Sequence, residues 1–98
     1  MKQKNIAIKG NHDYPLDVIA ELEKLGGINK WGFVGFMTER YYYIDKNGII
    51  AYDTKEWIKD YFQCNNETCF YTLAEYKRMK RRAKIKSSIN KIFNKKHE

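Results

Sequence analysis

The side chains with the clearest chemistry are the lysines and arginines near the C-terminal end of the chain. Residues 77–98 contain ten basic side chains and one acidic one, whereas residues 1–76 contain nine basic and eleven acidic ones. Ammonium and guanidinium groups bind phosphate oxygens, and counterion release dominates the affinity of such contacts. The sequence therefore predicts a polyanionic partner for these residues: Lys77, Arg78, Lys80, Arg81, Arg82, Lys84, Lys86 and Lys91.

Several kinds of partner fit this basic run. On a helix the side chains would surround more than one face and repel each other, so an anionic partner should stabilise the segment. RNA or DNA phosphates, alone or in a nucleoprotein, are the first interpretation. An acidic protein groove is the second, and an anionic membrane surface or plain solubility is the third.

Tyrosines provide a second set of candidate contacts. Tyr41 and Tyr43 alternate with Tyr42 and Ile44, so the two pairs lie on opposite sides of a strand. We expect one side to be at least partly exposed. Tyr41 and Tyr43 are therefore candidate partner-binding residues that stack on bases or anchor a protein, with core or rim packing as the alternative.

The two cysteines, Cys64 and Cys69, have a spacing found in some zinc sites. A structural zinc site usually has four Cys or His ligands, and the only histidines are His12 and His97. Intermolecular zinc or a loop disulfide stays open beside the expectation of two ordinary thiols. The sequence predicts no bound metal and no cofactor.

The segment Gly10-Asn11-His12-Asp13 resembles the Gly-Asn-His-Asp element of metallophosphoesterases. A two-metal site needs several convergent ligands, and only nine residues precede this element, with one further histidine near the terminus. We therefore interpret the segment as a turn that leads into a helix. The sequence predicts a protein that is not an enzyme.

Length and composition limit the architecture. With 98 residues, 43% hydrophobic and 15% aromatic, the chain should form one small domain. We divide it into a compact α+β part, residues 1–76, and a basic helical extension, residues 77–98. It has no apolar run long enough for a membrane span and no signal-like segment, which predicts a soluble cytoplasmic protein without a membrane partner.

Periodicity and turn residues predict the first elements. A strand is expected near Ile6–Lys9, and apolar residues spaced three and four apart predict a helix from Pro15 to Leu25. Asn47-Gly48 between two apolar runs predicts a hairpin from Tyr41 to Tyr52. The segment 29–39 is either an irregular strand or an aromatic loop.

Capping patterns predict the remaining elements. Asp53 or Thr54 can begin a short helix that ends at Phe62, with a strand as the alternative. An edge strand is expected at Phe70-Tyr71. Thr72 and Glu75 form a capping-box pattern that opens a helix running toward Asn94, with a bend near residues 84–88.

Four segments together carry a resemblance: Ile6 to Asn11, Leu22 to Asn29, Tyr41 to Ile50, and Tyr71 to Tyr76. In this pattern the chain resembles small uncharacterised proteins carried by phages and prophages of Bacteroidota, over roughly residues 5–78. The resemblance implies a phage-borne protein in a bacterial host. Such small proteins are often inhibitors of host defence, including anti-CRISPR proteins.

The predicted fold is α+β, with a small antiparallel sheet, a packed helix and a long basic C-terminal helix. The leading functional hypothesis is a non-enzymatic inhibitor that binds an RNA-guided CRISPR nuclease, or its guide RNA, through that helix. A phage-encoded DNA- or RNA-binding regulator is the alternative, and a small metal-dependent hydrolase ranks last. The sequence leaves the oligomeric state open.

Overall fold

The computed structural model describes residues 5–63 and 69–82, and the structural statements below concern these residues. It confirms an α+β fold. The elements, in chain order, are β1 (Ile6–Lys9), α1 (Pro15–Lys24), β2 (Tyr41–Ile44), β3 (Ile50–Asp53), α2 (Lys55–Phe62), β4 (Cys69–Tyr71) and a third helix, α3, over residues 73–82. The predicted continuation of α3 toward Asn94 and its bend lie outside the described residues.

The four strands form a mixed sheet in the order β3-β2-β1-β4. β1 is antiparallel to β2 but parallel to β4, with Ile6 opposite Cys69 and Ile8 opposite Tyr71. The prediction of an all-antiparallel sheet was therefore wrong. After the hairpin the chain passes through α2 to the far side of β1, and such a crossover allows the strand to return in the parallel direction.

The predicted hairpin is confirmed. β2 and β3 pair antiparallel, with Tyr43 opposite Ala51. In the turn, the Asp45 carboxylate accepts hydrogen bonds from the backbone N–H groups of Asn47, at 2.8 Å, and Ile49, at 2.9 Å. Gly48 has φ +80°, which glycine adopts without the steric cost of a side chain.

Helices α1 and α3 cover one face of the sheet. Ile8 and Tyr42 point to this face and pack with α1 residues Val18 and Leu22 and with Tyr76 of α3. The predicted α1 helix is confirmed to within one residue at its C-terminal end. This face contains the larger of the two cores.

Helix α2 covers the other face. Ala7 and Tyr43 form a second core with Ile58 of α2. Thr54 caps the start of the helix: its hydroxyl oxygen accepts a hydrogen bond from the Trp57 backbone N–H at 3.2 Å. Both faces of the sheet are thus covered by helices. The expectation that one tyrosine-bearing side is at least partly exposed was wrong at Tyr43, which is buried, whereas Tyr41 on the same side is half-buried.

The segment that connects α1 to β2 is an irregular loop held to the rest of the fold by backbone hydrogen bonds. Ile28 pairs with the start of β3, donating from its N–H to the Gly48 carbonyl at 2.9 Å. Farther along, Gly35 accepts a hydrogen bond from the Asn11 N–H at 3.0 Å. The loop alternative for residues 29–39 is therefore the observed one.

Candidate nucleic-acid interface

Helix α3 carries the basic residues, and a capping box fixes its start. The Thr72 N–H donates to the Glu75 carboxylate at 2.9 Å, and the Glu75 N–H donates to the Thr72 hydroxyl oxygen at 3.1 Å. Hydrogen bonds from the Thr72 backbone and side chain hold the pKa of Glu75 below its ordinary value. This confirms the predicted helix start, and the following turns run alongside α1, with Lys77 beside Asp17 and Lys80 beside Glu21.

The inner face of α3 is apolar and anchors the helix. Leu73 and Tyr76 are buried, and Met79 is half-buried against the same core. Burial raises the pKa of the Tyr76 hydroxyl. The division proposed between residues 76 and 77 falls within this helix, so the first basic residues continue an element that is packed on the sheet.

Two of the predicted phosphate-binding lysines form ion pairs with α1. The Lys77 ammonium donates to the Asp17 carboxylate at 2.9 Å, and the Lys80 ammonium donates to the Glu21 carboxylate. Asp17 and Glu21 are one helical turn apart, as the spacing of Lys77 and Lys80 requires. These lysines join the two helices, and their charges are partly neutralised within the protein.

Glu21 has an unusual environment for a carboxylate. Among the described residues, Glu21 is the one charged residue that is buried, with an exposed fraction of 5%. Burial raises the pKa of Glu21, but the hydrogen bond and charge of Lys80, together with the charge of Lys24, outweigh burial and hold that pKa below its ordinary value. Glu21 therefore remains ionised at neutral pH and holds Lys80 in place.

Three arginines occupy the face of α3 that lies opposite the buried Tyr76. Arg78, Arg81 and Arg82 are exposed. At about 100° per residue they lie within an arc of about 100°, facing away from Tyr76. In the part of the chain that the structure describes, Arg81 and Arg82 have no ion pair, whereas the charge of Arg78 contributes to lowering the pKa of Glu75.

An open groove of about 500 Å³ runs between α1 and α3. Its lining combines one buried carboxylate, Glu21, with four cations: Lys24, Lys77, Lys80 and Arg81. Lys24 was missed by sequence reasoning because it lies far from the basic run. The signal was present in the i, i+4, i+7 spacing of Asp17, Glu21 and Lys24 on one side of the predicted helix.

The predicted tyrosine contacts differ in accessibility. Tyr43 is 3% exposed, and burial beneath α2, followed by the charge of Tyr61, raises the pKa of its hydroxyl to about 12. It cannot stack on a base without displacing α2. Tyr41 is half-buried, with its ring centroid 5.0 Å from that of Phe70 in an edge-to-face arrangement.

The remaining candidate groups show no assembled metal site. The Asn11 side-chain oxygen accepts hydrogen bonds from the N–H groups of Asp13, at 2.9 Å, and Tyr14, at 2.7 Å, which confirms a turn before α1. Within residues 5–63 and 69–82, no three His, Cys, Asp or Glu side chains converge as metal ligands would. Cys64, Lys84, Lys86 and Lys91 lie outside the described residues.

Searches against protein-family models, curated proteins and solved structures each returned no match. Among the described residues, no helix has the length and apolar character required to cross a bilayer.

Proposed function

We propose that the chain is a non-enzymatic binding protein that contacts the phosphate backbone of a nucleic acid through α3. The observation that carries this proposal is the exposed face of Arg78, Arg81 and Arg82 on a helix whose opposite face is buried. Arginine forms paired hydrogen bonds with phosphate oxygens, so an ordered row of exposed guanidinium groups suits a polyphosphate strand.

The ion pairs between α1 and α3 support this proposal. Because Lys77 and Lys80 are bound to Asp17 and Glu21, the backbone of α3 is held in position before any partner arrives. The arginines are thereby presented from a fixed helix, which lowers the conformational entropy lost on binding. Lys24 extends the cationic surface across the groove.

The more specific proposal places this nucleic acid in a host nucleoprotein, with an RNA-guided nuclease or its guide RNA as the first candidate. It rests on the resemblance to small phage proteins and assigns the chain to the cytoplasm of a bacterial host. Base contacts or protein contacts would have to supply specificity, because phosphate contacts alone carry no sequence information.

The experiment is a binding titration with a labelled single-stranded RNA. Replacing Arg78, Arg81 and Arg82 together with Glu should abolish binding and leave the thermal melt nearly unchanged. In the wild type, affinity should fall with salt by a slope of about 0.7 per phosphate contacted. Salt-independent binding, or full binding by the triple variant, would remove α3 from the interface.

A matched control separates local contacts from net charge. Lys46, Lys55 and Lys59 are exposed residues of the β2–β3 turn and α2, on the other side of the sheet. Replacing these three with Glu changes the net charge by the same amount and should weaken binding only slightly. A pull-down from host lysate, with and without nuclease, then tests whether a nucleoprotein or bare nucleic acid is retained.

A further inference from the structure

Most of the exposed apolar side chains belong to α1, the residue before it and the loop that follows it, whereas the exposed arginines belong to α3. Among the nine large hydrophobic residues exposed in the described chain, six define what we call the apolar surface: Tyr14, Leu16, Ile28, Trp31, Val34 and Phe36. Leu16 is 68% exposed, Trp31 64% and Phe36 57%. Exposed apolar groups gathered in this way mark interaction sites.

The contacts between α1 and the following loop bring these residues together. Gly35 lies so close to α1 that an added Cβ atom would be 2.4 Å from the Pro15 carbonyl oxygen. Val34 and Phe36 flank Gly35, so their backbone lies close to the start of α1, the helix that carries Leu16. Ile28, at the other end of the loop, is fixed to β3, which places Trp31 between the two anchored ends.

We propose that the apolar surface binds a second copy of the same chain. Its six side chains are 45% to 68% exposed. Side chains of these sizes together expose several hundred Å², which is comparable in order of magnitude with the roughly 800 Å² that each partner buries in a standard interface. A domain of this size has a small core, and oligomerisation is a common source of additional stability.

The charges around the apolar surface favour self-association. In the sequence, Asp13 precedes Tyr14, Lys30 precedes Trp31, and Glu39 and Arg40 follow Phe36 within four residues, so both signs of charge occur next to the residues of the apolar surface. A two-fold axis places the same patch against itself, so a border of mixed sign can pair its own acids with its own bases. The acidic groups disfavour nucleic acid as the occupant, in contrast to the arginine face of α3.

The two tryptophans of the chain allow a direct test with the full-length protein. Trp57→Phe leaves Trp31, in the apolar surface, as the fluorescent reporter. Trp31→Phe, which keeps an aromatic ring in the apolar surface, leaves Trp57 on α2 as the control, and its emission is compared only where sedimentation shows that this variant dimerises. Nuclease-treated protein would be studied from about 1 to about 200 μM by sedimentation and emission spectra, a range that brackets micromolar dimers.

The proposal expects the mass to double over this range while Trp31 emission shifts to the blue and Trp57 emission stays constant. Adding Leu16→Ser and Phe36→Ser to Trp57→Phe should keep the protein monomeric, folded and unshifted. A monomer with blue-shifted Trp31 emission at every concentration would overturn the proposal in favour of another segment of the chain. A monomer with solvent-exposed Trp31 throughout would overturn it in favour of a different partner.

A dimer in which Trp57 rather than Trp31 becomes buried would also overturn the proposal that the apolar surface binds a second copy of the chain.

The proposed self-association is independent of the proposed phosphate binding, because the samples contain no nucleic acid and retain all three arginines. Loss of RNA binding in the arginine variant and loss of dimerisation in the Leu16 and Phe36 variant are separate outcomes.

Discussion

The Lys80 ammonium group of α3 donates a hydrogen bond to the Glu21 carboxylate of α1, a side chain that is almost fully buried. Lys80 itself is about half-exposed, so the pair joins a buried anion to a cation at the edge of the groove. A buried carboxylate without such a partner would be costly. The pair therefore sets the position of α3, and with it the direction of the arginine face.

Replacing Glu21 with Gln should lower the free energy of unfolding at pH 7 by about 1 to 2 kcal/mol. The pKa of Glu21 is lowered by folding, so its stabilising contribution is present above the ordinary pKa of 4.5 and is lost as pH falls through the folded value. Chemical denaturation at several pH values should show the wild type and the variant converging in acid.

Asp17→Asn is the matched control for this prediction. Asp17 pairs with Lys77 in the same way, but both side chains are substantially exposed. Exposed pairs typically contribute less than about 1 kcal/mol, so this variant should lose less stability. Equal losses in the two variants would contradict a special role for burial at Glu21.

Tyr43→Phe should make the protein more resistant to alkaline unfolding. Burial, then the charge of Tyr61, raises the pKa of Tyr43 from 10.0 to about 12 in the folded chain. Because the unfolded chain ionises first, the wild type should lose stability as pH rises from about 10 to about 12, by on the order of 2 kcal/mol from this group. Denaturation curves across this interval measure the loss.

The control for the alkaline prediction is Tyr14→Phe, which changes an exposed tyrosine before α1. Alkaline unfolding should be the same as in the wild type. If Tyr14→Phe protects as much as Tyr43→Phe, burial beneath α2 does not determine the effect.

Local patterns were sufficient to predict most elements of this fold. Asn47-Gly48 predicted the hairpin, and Thr72 with Glu75 predicted the start of α3, because these signals act within a few residues. The parallel pairing of β1 with β4 was not predictable in this way, since it depends on where the chain returns after α2. The burial of Tyr43 was not predictable for the same reason. The alternation of residues 41–44 indicates that side chains point to two faces of the strand, but it does not indicate that helices cover both faces.

The candidate site was predictable only in part. The sequence identified the basic run, but it could not separate Lys77 and Lys80, which pair with α1, from Arg78, Arg81 and Arg82, which remain exposed. That distinction depends on how two helices distant in sequence pack together. The exposure of the loop aromatics likewise became visible only when the path of the loop beside α1 was known.

Gly35→Ala should destabilise the protein by about 2 to 4 kcal/mol through combined steric overlap and backbone strain. Gly35 has φ +89° and lies against the Pro15 carbonyl. Gly32→Ala is the control: its φ is +68°, but a Cβ atom there would meet open space, so a loss of about 1 kcal/mol is expected. Similar losses in urea denaturation would show that close packing at Gly35 contributes little.

Lys80→Gln and Arg82→Gln should separate stability from RNA binding. Lys80 supports the buried Glu21 carboxylate, so Lys80→Gln should lower the melting temperature. Arg82 is exposed and has no ion pair among the described residues, so Arg82→Gln should leave the melting temperature unchanged.

If Arg82 contacts one phosphate of a single strand, Arg82→Gln should also reduce the salt slope of RNA binding by about 0.7. Anisotropy titrations with labelled RNA and thermal melts on the same samples test both effects. The reverse pattern, with binding lost only at Lys80 and stability lost only at Arg82, would contradict the assignment of the two faces of α3.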